Sequence, residues 1–147
     1  MKLLIYYSFT GNLDYVATLL KDKGFELRKV TEKKRMPKSF FFSILIGGFR
    51  AGIKAKGKLV DYNPDVSSYE EIVIASPIWN GRFPPAINSV LAKTNFEGKK
   101  VTFLFSSGSG EGEKASKWIK EHMPNANIIF LKEPKKHSEE LIKIDTL

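Results

Sequence analysis

The sequence predicts an α/β protein with a doubly wound parallel sheet, in which helices cover both faces of the sheet. Strand-like and helix-like segments alternate five times along the 147 residues. One of the strands, Glu71–Ser76, carries an unbroken apolar run, which is typical of a central parallel strand. Polar, glycine-bearing loops follow three of the strands. The length suits one domain, residues 1–147, with a sizeable core.

The first strand and the first helix have the clearest patterns. The apolar run of strand Lys2–Tyr7 breaks abruptly at Ser8. A helix is predicted from Asn12 to Lys23, because apolar residues then recur with helical spacing and Gly24 is a C-terminal signal. The residues with this spacing are Leu13, Val16, Ala17 and Leu20.

The second strand, Phe25–Val30, leads into an irregular region, Thr31–Asn63. This region is strongly basic, with no acidic residue between Glu32 and Asp61. Its basic residues are Lys33, Lys34, Arg35, Lys38, Arg50, Lys54, Lys56 and Lys58. Within it, Pro37 begins a phenylalanine-rich helix of roughly 16 residues.

Alternating strands and helices complete the chain. Proline at the first helical turn favours the start of one helix at Pro85, and the tail is expected to pack through Leu141 and Ile142. The predicted elements are strand Glu71–Ser76, helix Pro85–Lys93, strand Lys100–Ser106, helix Glu113–His122, strand Asn127–Leu131 and a helical tail, Ser138–Leu147.

The composition excludes several classes of protein. Hydrophobic residues make up 42% and charged residues 27%, as in soluble globular proteins. There is no cysteine, so disulfides, thiolate metal sites and cysteine nucleophiles are excluded. No segment approaches the ~20 apolar residues that span a bilayer, and we expect a cytoplasmic protein. The net charge of +8 implies attraction to an acidic protein, an anionic membrane surface or nucleic acid.

The turn from the first strand into the first helix has the features of a phosphate site. Free N–H groups and the dipole at a helix N-terminus favour an anion. Ser8, Thr10 and Asn12 add polar side chains, and Gly11 allows close approach of the backbone. An ordinary capped helix, with one of these three side chains as the N-cap, explains the same residues equally well.

Two further loops are expected at the same edge of the sheet. Pro77–Pro85 follows the third strand, and Ser107–Gly112 follows the fourth. In doubly wound sheets, ligands bind beyond the carboxyl ends of the strands, where the strand order reverses. The three loops therefore predict one shared ligand site.

These loops resemble the three flavin-binding loops of the flavodoxin family. The resemblance rests on Ser8-Phe9-Thr10-Gly11-Asn12, Pro77-Ile78-Trp79-Asn80-Gly81 and Ser107-Gly108-Ser109-Gly110, in this order and at this spacing. It covers essentially the whole chain. It implies a three-layer α/β/α sandwich with five parallel strands in the order 2-1-3-4-5, and FMN as the cofactor.

The resemblance also assigns roles to the loop residues. The first loop would bind the phosphate, the second would flank the isoalloxazine ring with the flat face of Trp79, and the third would offer N–H groups to the pyrimidine edge. Asn80-Gly81 would provide a flexible peptide near flavin N5. The implied cofactor residues are Ser8, Phe9, Thr10, Gly11, Asn12, Leu13, Pro77, Ile78, Trp79, Asn80, Gly81, Ser107, Gly108, Ser109 and Gly110. No catalytic side chain and no metal site are expected.

The sequence departs from the family pattern in three ways. Leu13 replaces the usual threonine of the first loop, which removes one hydroxyl. The third loop lacks the aromatic residue that many flavodoxins place over the second flavin face, so that face is expected to be open. Flavodoxins are typically acidic, whereas this chain has a net charge of +8. Glu111 and Glu113, near the third loop, would disfavour an anionic reduced flavin or stabilise a helix N-terminus.

Three functions are compatible with the sequence. The first is an FMN-binding electron carrier that meets a redox partner protein, here an acidic one. The second is a small FMN-dependent reductase for NAD(P)H and quinones, with Arg82, Phe83 and Phe40–Ile53 as walls of a substrate site. The third is a flavin-free basic module that binds an acidic partner. Nucleic acid is not expected as a partner, and anionic lipid is expected to bind weakly at most.

Overall fold

A computed structural model describes residues 1–33 and 56–147. Five parallel strands form one sheet in the order β2-β1-β3-β4-β5, which confirms the predicted topology. The elements are β1 (Lys2–Tyr6), α1 (Asn12–Asp22), β2 (Phe25–Lys29), β3 (Glu71–Pro77), α2 (Pro85–Lys93), β4 (Lys100–Ser107), α3 (Glu113–His122), β5 (Asn127–Lys132) and a 3-10 helix (Ser138–Ile144).

Alternate residues of each strand pack on opposite faces of the sheet, since successive side chains in a strand point to opposite sides. Leu3 and Ile5 of β1 lie in one core with α2 and α3. Leu4 and Tyr6 lie in the other core, against the apolar face of α1. Both cores are buried, so the three-layer architecture follows directly from the strand pattern.

Most predicted boundaries agree with the structure to within one residue, and α2 and α3 agree at both ends. The predicted helix that begins at Pro37 lies outside the described residues. The tail differs from the prediction, because it forms a 3-10 helix and Ile142 is 72% exposed. Ile144 is the residue of the tail that is buried against the α1 side of the sheet, with Leu141 partly buried beside it. Tight 3-10 winding changes which side chains face the sheet.

Within the described ranges 1–33 and 56–147, no helix is both long enough and apolar enough to cross a membrane.

Candidate functional site

The register of the sheet brings the three predicted loops to one edge. Tyr6 is opposite Ala75, and Pro77 is opposite Ser106, so β1, β3 and β4 end at nearly the same level. The N–H of Tyr7 donates to the carbonyl of Ala75 (3.0 Å). Strand order reverses between β1 and β3, which is where ligands bind in sheets of this kind.

The first loop is held in shape by its own side chains. The N-cap residue of α1 is Gly11 and not Ser8, Thr10 or Asn12, but the Ser8 hydroxyl accepts a hydrogen bond from the N–H of Asp14 (3.2 Å) in the first turn. The Asn12 amide donates to the Thr10 hydroxyl (3.1 Å). Gly11 precedes the helix with φ 85°, a left-handed conformation that favours glycine. The capping role and the anion-site role are thus compatible in the same loop.

Three consecutive N–H groups remain open at the start of α1. Within residues 1–33 and 56–147, the N–H groups of Gly11, Asn12 and Leu13 have no hydrogen-bond partner. The Leu13 side chain is buried in the core, as expected from its spacing. Open N–H groups at a helix N-terminus carry partial positive charge and can bind an anion.

The acidic residue in the first turn of α1 is neutralised. The carboxylate of Asp14 pairs with the ammonium of Lys29 at 2.6 Å. Both side chains are partly exposed, so the pair adds little to stability. Because Lys29 neutralises Asp14, the carboxylate in this turn does not oppose the binding of an anion at the open N–H groups.

A lysine that sequence reasoning missed lies against the first loop. The N–H of Lys135 donates to the Asn12 side-chain oxygen (3.2 Å). A Cβ placed on Gly11 would lie 3.6 Å from the Lys135 ammonium nitrogen. The two residues are more than 120 positions apart in the chain, and no local pattern links them. The candidate anion site therefore has beside it a cation that the first loop itself lacks.

The segment that carries Lys135 is fixed by carboxylates. Glu140 accepts hydrogen bonds from the Lys143 ammonium (2.6 Å) and from the N–H of Lys132 (2.9 Å). These two hydrogen bonds hold the pKa of Glu140 below its ordinary value. The hydrogen bond from Lys136 likewise lowers the pKa of Glu133. The ionised carboxylates thus stabilise the turn after β5.

We expect Glu140→Gln to lower stability at neutral pH and to have almost no effect in acid. A carboxyl group whose folded-state pKa is depressed stabilises the fold above its unfolded pKa of about 4.3, and this contribution is lost as the pH falls through the folded-state value. Denaturant unfolding at several pH values measures the difference. Glu139→Gln is the control, since Glu139 is 73% exposed. A difference between wild type and Glu140→Gln that persists at pH 2 would contradict this assignment.

The second loop contains a tight turn built by Asn80 and Gly81. The N–H of Trp79 donates to the carbonyl of Arg82 and the N–H of Arg82 donates to the carbonyl of Trp79, both at 3.0 Å. Asn80 and Gly81 have φ values of 50° and 73°. This is the geometry of a type I′ turn, for which Asn-Gly is the preferred pair. The structure thus shows one conformation of the Asn80–Gly81 peptide, and its predicted flexibility stays a prediction.

Aromatic rings meet at the junction of the first two loops. The ring of Trp79 lies 5.6 Å from that of Phe9 and 5.9 Å from that of Tyr7, both edge to face. Trp79 is only partly buried. Two aromatic rings thus pack against the indole, while part of its surface stays accessible beside the first loop.

We expect Gly81→Ala to destabilise the protein by about 1–2 kcal/mol, because an L side chain in the left-handed region clashes with its own backbone. The matched control is Gly108→Ala, where a Cβ would meet nothing within 4 Å and φ is not positive. Chemical unfolding of the two variants gives the comparison. Equal stability of both variants would show that the turn accepts alanine and that strain is absent.

The third loop is organised by the Ser107 hydroxyl. This oxygen accepts hydrogen bonds from the N–H groups of Gly110 (2.8 Å) and Glu111 (3.0 Å). Among the described residues, the N–H groups of Gly108 and Ser109 have no partner. Four residues were predicted to offer N–H groups to a ligand. The N–H of Gly110 is taken up by Ser107 within the loop, whereas the N–H groups of Gly108 and Ser109 can donate to a ligand.

Lysine side chains lie against one glycine of each loop. A Cβ on Gly81 would lie 3.7 Å from Lys114, and one on Gly110 would lie 3.7 Å from Lys132. With Lys135 near Gly11, these three side chains form what we call the lysine rim. Within residues 1–33 and 56–147, none of the three ammonium groups forms an ion pair. A lysine side chain therefore lies beside each of the three loops at this edge of the sheet.

A cavity of about 590 Å³ lies between α2 and α3. Arg82 connects it to the second loop, and its walls include the stacked rings of Trp118 and His122 (centroids 4.5 Å apart). Of the predicted substrate walls, Arg82 and Phe83 both line this cavity, although Phe83 is only 5% exposed and also belongs to the core. The third wall, Phe40–Ile53, lies outside the described residues.

A flavodoxin family model matches residues 52–143 of this chain. No curated protein matches it. Solved structures of flavoproteins are similar in fold. A candidate flavoprotein from Bacteroides eggerthii DSM 20697 superposes with a TM-score of 0.74 at 18% identity, over 99% of this chain and 98% of the other.

Two further structures broaden the comparison. A flavoprotein in complex with FMN from Lactobacillus acidophilus NCFM has a TM-score of 0.71 at 22% identity, over 87% of this chain and 89% of the other. A candidate quinone reductase from Klebsiella pneumoniae has a TM-score of 0.51 at 11% identity, over 99% of this chain and 84% of the other. At these identities the similarity establishes the shared fold.

Proposed function

Because this chain belongs to the flavodoxin family, we propose that it binds FMN at the three loops and carries electrons between redox proteins. The observation that carries the proposal is the set of open N–H groups of Gly11, Asn12 and Leu13 beside the partly exposed Trp79. A phosphate and a flat aromatic ring at neighbouring positions are the two chemical features of FMN. An FMN complex of a protein with the same fold supports this assignment.

The residues present fit such a cofactor. The N–H groups at the start of α1 would bind the phosphate, Trp79 would contact the isoalloxazine ring, and the N–H groups of Gly108 and Ser109 would bind its pyrimidine edge. Bound FMN would supply one- or two-electron transfer. The protein would orient the cofactor and set its electrostatic surroundings, and no side chain is needed as a general acid or base.

The lysine rim supports an acidic redox partner. The side chains of Lys114, Lys132 and Lys135, none of which pairs with a carboxylate of residues 1–33 and 56–147, lie beside the three loops at which the flavin would be exposed. Complementary charge speeds encounter and favours one orientation of the partners. We therefore propose that the partner presents carboxylates around its own redox centre. The cytoplasmic location expected from the sequence stays a prediction.

A titration with FMN tests the cofactor assignment. The protein is freed of flavin, and the fluorescence of added FMN is followed together with the visible spectrum. We expect saturable binding of one FMN per chain. Unchanged fluorescence at micromolar concentrations of both components would contradict the proposal and would favour the flavin-free basic module.

A reductase is the second candidate, and the cavity between α2 and α3 is the observation that favours it. Arg82 joins this cavity to the Asn80–Gly81 turn, and Lys56 and Lys114 add positive charge to its walls. A substrate with anionic groups, such as NAD(P)H, would suit these walls. Steady oxidation of NAD(P)H with a quinone by the FMN-loaded protein would support the reductase, and absence of turnover would favour the carrier.

A further inference from the structure

Unlike Lys136 and Lys143, Lys135 has no carboxylate partner among the residues that the structure describes. Lys136 pairs with Glu133 at 2.8 Å, and Lys143 pairs with Glu140 at 2.6 Å. Glu139 lies 3.3 Å from the ring of His137. The carboxylates of this segment thus have partners of their own, and the Lys135 ammonium is left facing the first loop.

The position of Lys135 is fixed by the loop that it faces. Its N–H donates to Asn12, whose amide in turn donates to Thr10. The turn that carries Lys135 is closed by hydrogen bonds from the N–H groups of Lys136 and His137 to the carbonyl of Glu133 (2.8 and 3.1 Å). The ammonium therefore lies near Gly11 because the backbones of the two segments are tied together.

The charges around the first loop favour the binding of an anion. Asp14, the acidic residue in the first turn of α1, is paired with Lys29. The open N–H groups of Gly11, Asn12 and Leu13 and the nearby Lys135 ammonium therefore combine hydrogen-bond donors with a positive charge that no carboxylate of the described residues pairs with. A phosphate monoester, with its two negative charges and its acceptor oxygens, is the matching ligand class.

We infer that Lys135 is a specificity residue for the phosphate, and that through it this protein selects FMN over riboflavin. The inference rests on the proposed FMN function. The ammonium donates a charge-assisted hydrogen bond to a phosphate oxygen, and such bonds are stronger than those between neutral groups. Riboflavin has the same ring and ribityl chain but no phosphate, so it gains nothing from this cation.

The test compares the affinities of the two flavins in four forms of the full chain. Lys135→Gln removes the charge and keeps a similar length, Lys135→Arg restores a cation, and Lys136→Gln removes the neighbouring charge that Glu133 already neutralises. Fluorescence titration gives Kd for FMN and for riboflavin. For Lys135→Gln we expect Kd for FMN to rise about five- to ten-fold and Kd for riboflavin to stay unchanged.

The controls separate charge from loop structure. We expect Lys135→Arg and Lys136→Gln to bind both flavins as the wild type does. Added salt should weaken FMN binding to the wild type more steeply than FMN binding to Lys135→Gln, since one charge pair is missing in the variant.

Three results would overturn the inference. An unchanged Kd for FMN in Lys135→Gln would show that the cation does not reach the phosphate, while the cofactor assignment itself would stand. An equal loss of FMN and riboflavin would show that Lys135 acts by supporting the loop through Asn12. Failure of the wild type to bind FMN would overturn the proposed function and this inference together.

Discussion

Replacing Trp79 with alanine should weaken the binding of FMN and of riboflavin to the same extent, by about 2 kcal/mol, or roughly thirty-fold in Kd. The reason is that the indole would contact the ring that both flavins share. Phe9 and Tyr7 both pack against the indole, so its orientation is already set before a ligand binds. Flavin fluorescence titration of the purified variant measures both constants.

The other tryptophan of the chain is the matched control. Trp118 stacks on His122 and contacts Phe83 in the cavity between α2 and α3. Trp118→Ala should lower stability but leave both flavin affinities within two-fold of wild type, about 0.4 kcal/mol. If both variants lost flavin affinity equally, the isoalloxazine ring would have to lie near the cavity between α2 and α3, which would contradict a flavin site at the three loops.

Replacing Phe103 with alanine should cost about 3–5 kcal/mol of folding free energy, the range for a fully buried phenylalanine. Phe103 has no exposed surface, and its ring stacks on Phe105 (6.0 Å) and contacts Phe83 (5.8 Å). The cavity left behind would remove support from the strand that leads into the third loop. Denaturant unfolding at neutral pH gives the change.

Phe96→Ala provides the comparison for this core variant. Phe96 is only partly buried at the edge of the same core, so about 1–2 kcal/mol is expected. Excess FMN should recover part of the stability lost in Phe103→Ala, since a ligand that binds only the folded state stabilises it. Similar losses in the two variants would mean that the packing around Phe103 relaxes around the cavity.

The fold could be predicted because its signals are local and repeated. Apolar runs mark the strands, and Gly24 and Pro85 mark where helices end and begin. The tail was harder, since Leu141, Ile142 and Ile144 are all apolar and only the 3-10 winding decides which is buried. The pattern of one short segment cannot distinguish these alternatives.

The candidate site could be predicted only in part. The three loops come together because parallel strands end at one edge, which the order of elements implies. The roles of single groups depend on distances that no pattern encodes. Examples are the Ser107 hydroxyl, which takes up the Gly110 N–H, and Lys135, which reaches the first loop from the far end of the chain. Such contacts arise from the packing of distant segments.

An amide-resolved NMR titration with FMN tests most directly whether three loops form one flavin site. The account predicts that the amide signals of residues 8–13, 78–81 and 107–110 all shift and reach saturation at the same FMN concentration. The amides of Gly24 and Gly98, which lie in other turns, should not move. Shifts confined to the residues that line the cavity between α2 and α3, or no saturable shifts at all, would contradict the account.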